Sequence, residues 1–159
     1  MALKRSQITL SESEMQAFFA EERVVTCATI GPHGRPHLMP LWYVVDHGLI
    51  TAWTFGKSQK VRNLERLPQA TLQIEAGRDR YAELRGVMLE CDVEILRDPA
   101  SIEAIGFALT RRYGGLAPGT DLPPEVRAGV LKQVPKRVGL RFVPTRVVSW
   151  DHRKLGGGY

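Results

Sequence analysis

Short apolar runs separated by tight turns restrict the fold of this chain more than any other feature. The runs RVVTCATI, HLMPLWYVV and LITAWTF are rich in β-branched and aromatic residues, and the turns GPHGRP and DHG connect them. Such residues favour strands, and connections this short join neighbouring antiparallel strands. Pro40 lies within the second run and cannot donate a ladder hydrogen bond, so it predicts an edge strand or a bulge.

Helices and further strands follow this meander. ATLQIE and RGVMLECDVEIL predict two strands, and RVGLRFVPTRVVSW predicts a last, long strand. Ser11 and Glu14 predict the start of a helix by their capping-box spacing, and Asp98 with Pro99 predicts the start of another. EVRAGVLKQV predicts a shorter helix. Six antiparallel strands with inserted helices favour a closed or nearly closed β-barrel, because closure removes exposed strand edges.

Size and charge limit the classes of protein that fit. With 159 residues, 43% of them hydrophobic, the chain is expected to form a single domain over residues 1–159. The net charge of +5 favours an anionic partner. No apolar run approaches the roughly 18 residues that span a bilayer, and the N-terminus lacks an apolar signal core. We therefore expect a cytoplasmic protein with no membrane partner.

Cysteine and histidine give no sign of a metal site. Cys27 and Cys91 each lie in a strand-like apolar run without a C-x-x-C partner, which predicts small core residues in a reducing compartment. The four histidines are scattered and do not have the spacing of metal ligands. We predict no metal.

The segment LITAWTFGKSQKVRNLERLP carries an unusual charge pattern. It predicts a strand, a turn and a short helix with Ser58 as its N-cap that stops before Pro68. A helix N-terminus has partial positive charge and free N–H groups, so acidic residues are favoured there. This helix has Lys57, Lys60 and Arg62 instead. A bound anion would make these charges favourable. The alternative is a capped surface helix with solvated lysines.

At this point the sequence resembles a known family. ATIGPHGRPHLMPLWYVVDHGLI followed by SQKVRNLERLPQATLQIE is similar to the split β-barrel flavoproteins related to pyridoxamine-phosphate oxidase. The segments KSQKVRNLERLP and VVSWDHRKLG look most like the actinobacterial branch that uses the deazaflavin coenzyme F420. The resemblance spans residues 24–155. It implies a mainly β fold, a six-stranded antiparallel split β-barrel with short flanking and inserted helices.

The resemblance also implies a cofactor site at a subunit interface of a homodimer. Ser58 and Lys60 would hold the cofactor phosphate, residues 39–43 would pass the ring, and Trp150 and Lys154 would reach a site shared with the partner chain. The implied cofactor-binding residues are Met39, Pro40, Leu41, Trp42, Trp53, Thr54, Lys57, Ser58, Lys60, Arg62, Asn63, Trp150 and Lys154. Lys57, Arg62 and Arg66 exceed what a phosphate needs and favour the glutamate-bearing tail of F420, unless they are solvated cations.

The aromatic residues keep two interpretations. Trp42, Tyr43 and Trp53 could line the cofactor site or pack a barrel core. The two-residue period places Trp42 and Tyr43 on opposite faces, so they cannot share one role. Trp150 is either a stacking residue or a brace of the barrel.

The predicted function is an F420-dependent oxidoreductase that transfers a hydride between the reduced ring and an unsaturated or carbonyl-conjugated small molecule. No catalytic residue is assigned; Tyr43, Tyr113 or water could donate a proton. Ser149, Asp151 and His152 are too close in sequence to form a hydrolase triad. Residues 111–115 either flank a substrate pocket or end a helix at Gly114.

Other functions remain open. An FMN enzyme would use the same helix end, and a non-catalytic flavin or deazaflavin carrier would keep Ser58 and Lys60. A nucleic-acid-binding barrel is disfavoured because the cations cluster at a helix start instead of forming a long strip.

Overall fold

The computed structural model describes residues 4–156, in which seven strands form one antiparallel sheet. The strands are β1 (Val25–Ile30), β2 (Pro36–Leu41), β3 (Val44–Asp46), β4 (Leu49–Phe55), β5 (Gln69–Ala76), β6 (Arg85–Leu96) and β7 (Arg137–Asp151). The helices are α1 (Glu12–Glu21), α2 (Gln59–Arg66), α3 (Pro99–Tyr113) and α4 (Pro124–Gln133). Single 3₁₀ turns lie at Lys4–Gln7, Tyr81–Glu83, Val134–Lys136 and His152–Leu155.

The prediction of six strands is wrong by one, because the run HLMPLWYVV forms two strands. β2 ends at Leu41 and β3 begins at Val44. Between them, the N–H of Tyr43 donates to the hydroxyl of Tyr113 at 2.9 Å instead of to a neighbouring strand. This contact comes from α3, far along the chain, so the local sequence could not reveal the break.

The order of the strands explains why the sheet is rolled. It runs β2-β1-β5-β6-β7-β4-β3, so β2 and β3 occupy opposite edges. Only Trp42 and Tyr43 separate these two strands along the chain. A flat seven-stranded sheet would hold its edges about 28 Å apart, which two residues cannot span. The edges must therefore approach each other, which gives the split barrel. Pro40 lies in edge strand β2, as predicted.

Tyr43 holds the crossing between the two edges in place. Its ring is buried, and its hydroxyl lies 2.8 Å from the carbonyl oxygen of Phe19 and 3.0 Å from that of Glu22. The guanidinium of Arg112 donates to the Tyr43 carbonyl at 2.8 Å and to the carbonyls of Phe19 and Glu22 at 2.8 and 2.6 Å. One side chain from α3 thus ties together the end of α1 and the crossing.

The predicted helix starts are confirmed. Ser11 and Glu14 form a reciprocal capping box at the start of α1. Asp98 caps α3 by accepting a hydrogen bond from the Ser101 N–H at 2.8 Å, and Pro99 occupies the first turn. These local signals operate within one turn of helix and need no tertiary contact.

The core fills the interior of the rolled sheet, and α2 lies against β1. Cys27 and Cys91 are buried and unpaired there, as predicted. Helices α3 and α4 cover the outer face of β4, where Trp53 packs against two smaller clusters. No helix within residues 4–156 has the length and apolar character needed to cross a membrane.

Gly86 provides a test of how Trp150 is held. A Cβ atom on Gly86 would lie 2.4 Å from Cζ2 of Trp150 and 2.7 Å from the backbone oxygen of Ile74. We expect Gly86→Ala to lower the free energy of unfolding by about 1–3 kcal/mol, because the backbone oxygen cannot move aside as a side chain can. Urea denaturation measures the change.

Gly129→Ala is the matched control. Gly129 lies inside α4 with no neighbouring atom within 4 Å of a Cβ, so alanine should leave stability unchanged or raise it by up to about 1 kcal/mol. Equal effects of the two substitutions would contradict the packing assigned to Trp150.

Candidate functional site

Ser58 begins α2 in the predicted N-cap position, but its side chain does not cap the helix. Its backbone is extended, with φ −69° and ψ 157°, and its hydroxyl makes no cap hydrogen bond. The Oγ atom is buried and has no hydrogen-bond partner among the described residues. The first turn of α2 contains no acidic side chain. The hydroxyl and the first N–H groups of the helix are therefore available to an anion.

Lys60 is buried, which the sequence did not predict. Its exposed fraction is 7%, and its Nζ donates to Oγ1 of Thr54 at 3.1 Å. Burial lowers the pKa of Lys60, and the nearby positive charge of Arg137 lowers it further. No carboxylate lies within 4 Å of this ammonium group in the part of the chain that the structure describes. A buried, unpaired cation is costly, so the site favours an anion.

Asn63 anchors α2 to the sheet instead of lining open space. It is fully buried, and its Nδ2 donates to Oγ1 of Thr29 on β1 at 3.0 Å. Its Oδ1 accepts from Nε2 of Gln59 at 2.9 Å. These bonds fix the direction of α2, and hence the positions of Ser58 and Lys60.

Two residues near this site were not anticipated from the sequence. Arg137 opens β7 opposite Phe55, its guanidinium lies 5.2 Å from the centre of the Trp53 ring, and its Nε is buried without a partner within residues 4–156. His37, on β2, lies opposite Thr29 of β1. Its Nδ1 is also buried and has no hydrogen-bond partner among the described residues. Only the pairing of β4 with β7 and of β1 with β2 places them. For Arg137, the adjacent cations Lys136 and Arg137 were the only local hint in the sequence.

The remaining cations of the segment differ in their surroundings. Lys57 and Arg62 are exposed and have no ion pair with a described residue. Arg66 is also exposed, but its guanidinium donates to the carbonyl oxygen of Ile30. Of these three cations, only Lys57 and Arg62 have no partner among the described residues.

Trp53 and Thr54 face opposite sides of β4. Thr54 points inward and contacts Lys60, whereas Trp53 packs on the outer face against α3 and α4. A Cβ on Gly106 of α3 would lie 2.6 Å from the Trp53 ring, so the helix fits closely over it. The two predicted residues thus do not share one surface.

Edge strand β2 presents the other predicted cofactor residues. Met39 and Pro40 are exposed, Leu41 is buried, and Trp42 is 60% exposed beyond the end of the strand. The Trp42 ring stacks on that of Tyr113 with 4.3 Å between centres and 6° between planes. Trp42 and the buried Tyr43 point in opposite directions, as predicted.

Trp150 and Lys154 lie far from Ser58 within one chain. Arg137, next to the end of β4, and Trp150 are at opposite ends of β7, separated by about 40 Å of extended chain. The Nζ of Lys154 is engaged by the Thr9 carbonyl at 2.8 Å and by the Glu14 carboxylate at 2.7 Å. One protomer therefore does not unite these two residues with the Lys60 site.

The candidate proton donors are both engaged. Burial raises the pKa of Tyr43 to about 12, and its hydroxyl contacts two backbone carbonyls. Burial also raises the pKa of Tyr113, whose hydroxyl lies 2.6 Å from the Arg23 carbonyl. Neither hydroxyl is free to meet a ligand.

The arrangement of a hydrolase triad is absent from residues 149–152. Ser149 Oγ accepts a hydrogen bond from the Leu10 N–H at 2.9 Å. The Asp151 carboxylate binds Arg153 at 2.6 Å, which lowers the pKa of Asp151. Ser149 and Asp151 therefore each have a partner other than His152.

Comparison with known proteins identifies the family. The sequence profile of pyridoxamine 5'-phosphate oxidase matches residues 11–151. The chain belongs to this family. A conserved hypothetical protein from Mycobacterium tuberculosis has a similar structure, with a TM-score of 0.88, 40% identity and coverage of 99% of this chain and 95% of that one. No curated protein matches the sequence significantly.

More distant structures share the fold alone. An F420 reductase has a TM-score of 0.61 at 23% identity, covering 83% of this chain and 94% of that one. The heme storage protein HutZ from Vibrio cholerae has a TM-score of 0.66 at 18% identity, covering 87% and 94%. The same barrel thus accommodates an enzyme and a storage protein.

Replacement of Lys60 tests whether its charge contributes to the stability of the fold. At pH 7 we expect Lys60→Met to raise the free energy of unfolding by about 1 kcal/mol, because the unpaired charge no longer has to be buried. The folded-state pKa of Lys60 is lowered, so the gain should shrink as pH rises through that pKa towards the ordinary value of 10.5. Urea denaturation of the cofactor-free protein measures both effects.

Lys154→Met is the control. Lys154 has a carboxylate partner, so its replacement should lower the free energy of unfolding. If Lys60→Met destabilised the protein more than Lys154→Met, Lys60 would be a structural residue.

Proposed function

We propose that this protein is an oxidoreductase that binds coenzyme F420 at the junction of β4 and α2. The observation that supports the proposal most strongly is the buried ammonium of Lys60 without a carboxylate, close to a helix start whose Ser58 hydroxyl is buried and unpartnered. These groups fit a phosphate, which supplies negative charge and several acceptor oxygens. Membership in a family named for an oxidase supports a redox role.

The protein's own residues would orient the cofactor. Ser58, Lys60 and the first N–H groups of α2 would hold the phosphate, and Asn63 would keep that helix in position through Thr29. Lys57 and Arg62 would meet the carboxylates of the tail, and β2 with Trp42 would flank the ring. When bound, F420 supplies the hydride for an unsaturated or carbonyl-conjugated substrate.

Two alternatives follow from particular observations. FMN needs only the phosphate contacts, so Ser58 and Lys60 would suffice and Lys57 and Arg62 would remain solvated. A non-catalytic carrier is favoured by the engagement of both tyrosine hydroxyls, which leaves proton donation to water. Turnover of the reduced cofactor with a panel of enones and quinones separates an enzyme from a carrier.

Cofactor titration tests the proposal. We expect F420 to bind wild type at least tenfold more tightly than FMN, about 1.4 kcal/mol or more. Lys60→Met should weaken the binding of both cofactors by about 1–3 kcal/mol, because it removes a charge-assisted contact to the phosphate. The double variant Lys57→Ala/Arg62→Ala should lower the affinity for F420 more than the affinity for FMN. Fluorescence titration measures these affinities.

Several outcomes would contradict this assignment. Equal or tighter binding of FMN by wild type would favour the FMN enzyme, and unchanged affinities in Lys60→Met would remove the phosphate site. In wild type, affinity should also fall as pH rises through the lowered pKa of Lys60, since the ammonium loses its proton. Lys60→Met should not show that dependence.

We further propose that the protein is a homodimer that uses the exposed face around β2. Leu38 is 57% exposed and Met39 44% exposed, and both lie on a strand whose outer edge has no partner among the described strands. Exposed apolar side chains on an unpaired edge strand favour association. A second protomer would also supply Trp150 and Lys154 from the opposite end of β7.

Sedimentation equilibrium at micromolar concentration should show a dimer, and Leu38→Glu/Met39→Glu should shift it to monomer by placing charges in the interface. Leu131→Glu, at an exposed position of α4, is the control and should leave the dimer intact. Monomeric wild type with cofactor present would contradict a shared site.

A further inference from the structure

A second group of cations lines a cavity near the beginning of β4, at the opposite end of that strand from α2. The cavity has a volume of about 570 Å³ and lies among the end of α1, β3, the end of α3 and the loop that follows α3. Its apolar lining consists of Ala20, Val44, Val45, Ala108, Leu116 and Pro118. Its charged lining consists of Arg23, Arg111 and Arg112.

None of these three arginines forms an ion pair within residues 4–156. Arg112 donates from its two terminal nitrogens to the carbonyl oxygens of Tyr43, Phe19, Ala20 and Glu22, which engages those nitrogens without neutralising its charge. Arg111 donates from Nε to the Thr120 carbonyl at 2.6 Å, which leaves its terminal nitrogens available. Their positive charges are therefore uncompensated.

Arg23 has the greatest freedom to bind a ligand. Its guanidinium lies over the Tyr113 ring at 5.1 Å from the ring centre. Its side chain makes no hydrogen bond to another described residue, and only its backbone carbonyl accepts one, from the Tyr113 hydroxyl. A flat guanidinium held on an aromatic ring is suited to two parallel bonds to a carboxylate.

The carboxylates that neighbour Arg23 and Val45 along the chain are directed elsewhere. Glu21 pairs with Arg85 at 2.8 Å, and Glu22 lies 3.9 Å from the same guanidinium. Asp46, beyond Val45, lies 4.0 Å from Arg141. No acidic residue belongs to the described lining of the cavity. The cavity thus combines apolar walls with positive charge, and low-polarity walls strengthen the attraction of an anion.

The position of the cavity separates it from the phosphate site. Val44 pairs with Thr51 near the beginning of β4, whereas Ser58 follows the end of that strand. Tyr113 connects the cavity to the proposed ring position, because Arg23 lies over Tyr113 and Tyr113 stacks on Trp42. A ligand in the cavity would therefore lie beside the strand that we expect to flank the ring.

We propose that this cavity binds an organic carboxylate with an apolar body. Arg23 and Arg111 bind the carboxylate, Arg112 adds charge from a fixed position, and Val44, Ala108 and Leu116 contact the apolar body. A carboxylate with an apolar body matches this lining better than a free phosphate, because most of the wall has no hydrogen-bonding groups. The identification of this ligand as the substrate rests on the proposed F420 function, whereas its binding does not.

Binding of trans-cinnamate to the cofactor-free protein tests the proposal. Isothermal titration should show cinnamate binding at least tenfold more tightly than cinnamamide, which has the same shape without the charge. Arg23→Gln/Arg111→Gln should lower cinnamate affinity at least tenfold and leave the cinnamamide affinity unchanged. Arg78→Gln, an exposed arginine paired with Glu75, is the control and should bind as wild type does. Circular dichroism checks that each variant is folded.

Methyl NMR locates the ligand. Cinnamate should shift the methyl signals of Val44, Val45 and Leu116. Equal affinity for acid and amide, full affinity in the double variant, or shifts confined to other methyl groups would each overturn the proposal. So would a failure of cinnamate to bind, including exclusion by a partner chain that fills the cavity.

The same variants separate this inference from the proposed function. Lys60→Met should lose cofactor affinity and keep cinnamate binding, and Arg23→Gln/Arg111→Gln should do the reverse. Loss of cinnamate binding in Lys60→Met would place the ligand at the phosphate site and overturn the separate cavity. Cinnamate binding in a protein that fails to bind F420 would support the carboxylate site and refute the F420 function.

Discussion

The hydrogen bonds around Tyr43 fix the crossing on which the whole barrel depends. Trp42 and Tyr43 carry the chain from one edge of the sheet to the other, so the sheet can form only if it is rolled. Arg112 and Tyr113 of α3 bind the backbone of Tyr43 and hold the edges together. The interior in which Lys60 is buried and the cavity beside α3 both follow from this closure.

The cations of this protein differ in whether a carboxylate lies beside them. Arg85, Arg141, Arg146 and Arg153 lie within 4 Å of carboxylates. By contrast, Lys60 is buried without a carboxylate partner among the described residues. The three arginines of the cavity lie beside apolar walls and also have no such partner within residues 4–156. The buried, unpaired charge of Lys60 lowers stability unless an anion binds, and the three arginines gather positive charge on apolar walls. These two sites are therefore the strongest functional candidates.

Whether a residue's role could be predicted from the sequence depends on how far along the chain its contacts lie. The capping box of Ser11 and Glu14, the Asp98 cap and the burial of the cysteines were predicted because each depends on neighbours or on local apolar character. The orphaned hydroxyl of Ser58, the burial of Lys60 and the presence of Arg137 beside Trp53 were not, because strands distant in sequence create those surroundings.

The sequence by itself determined the antiparallel strands, the short connections, the N-cap at Ser58 and the inverted charge of α2, since periodicity, turn residues and helix-end electrostatics act over a few residues. Tertiary structure alone decided that HLMPLWYVV splits into two strands, that Trp53 and Trp150 pack against glycines, and that Arg23, Arg111 and Arg112 share one cavity. The physical reason is that pairing, burial and the grouping of charge depend on which distant segments the rolled sheet brings together.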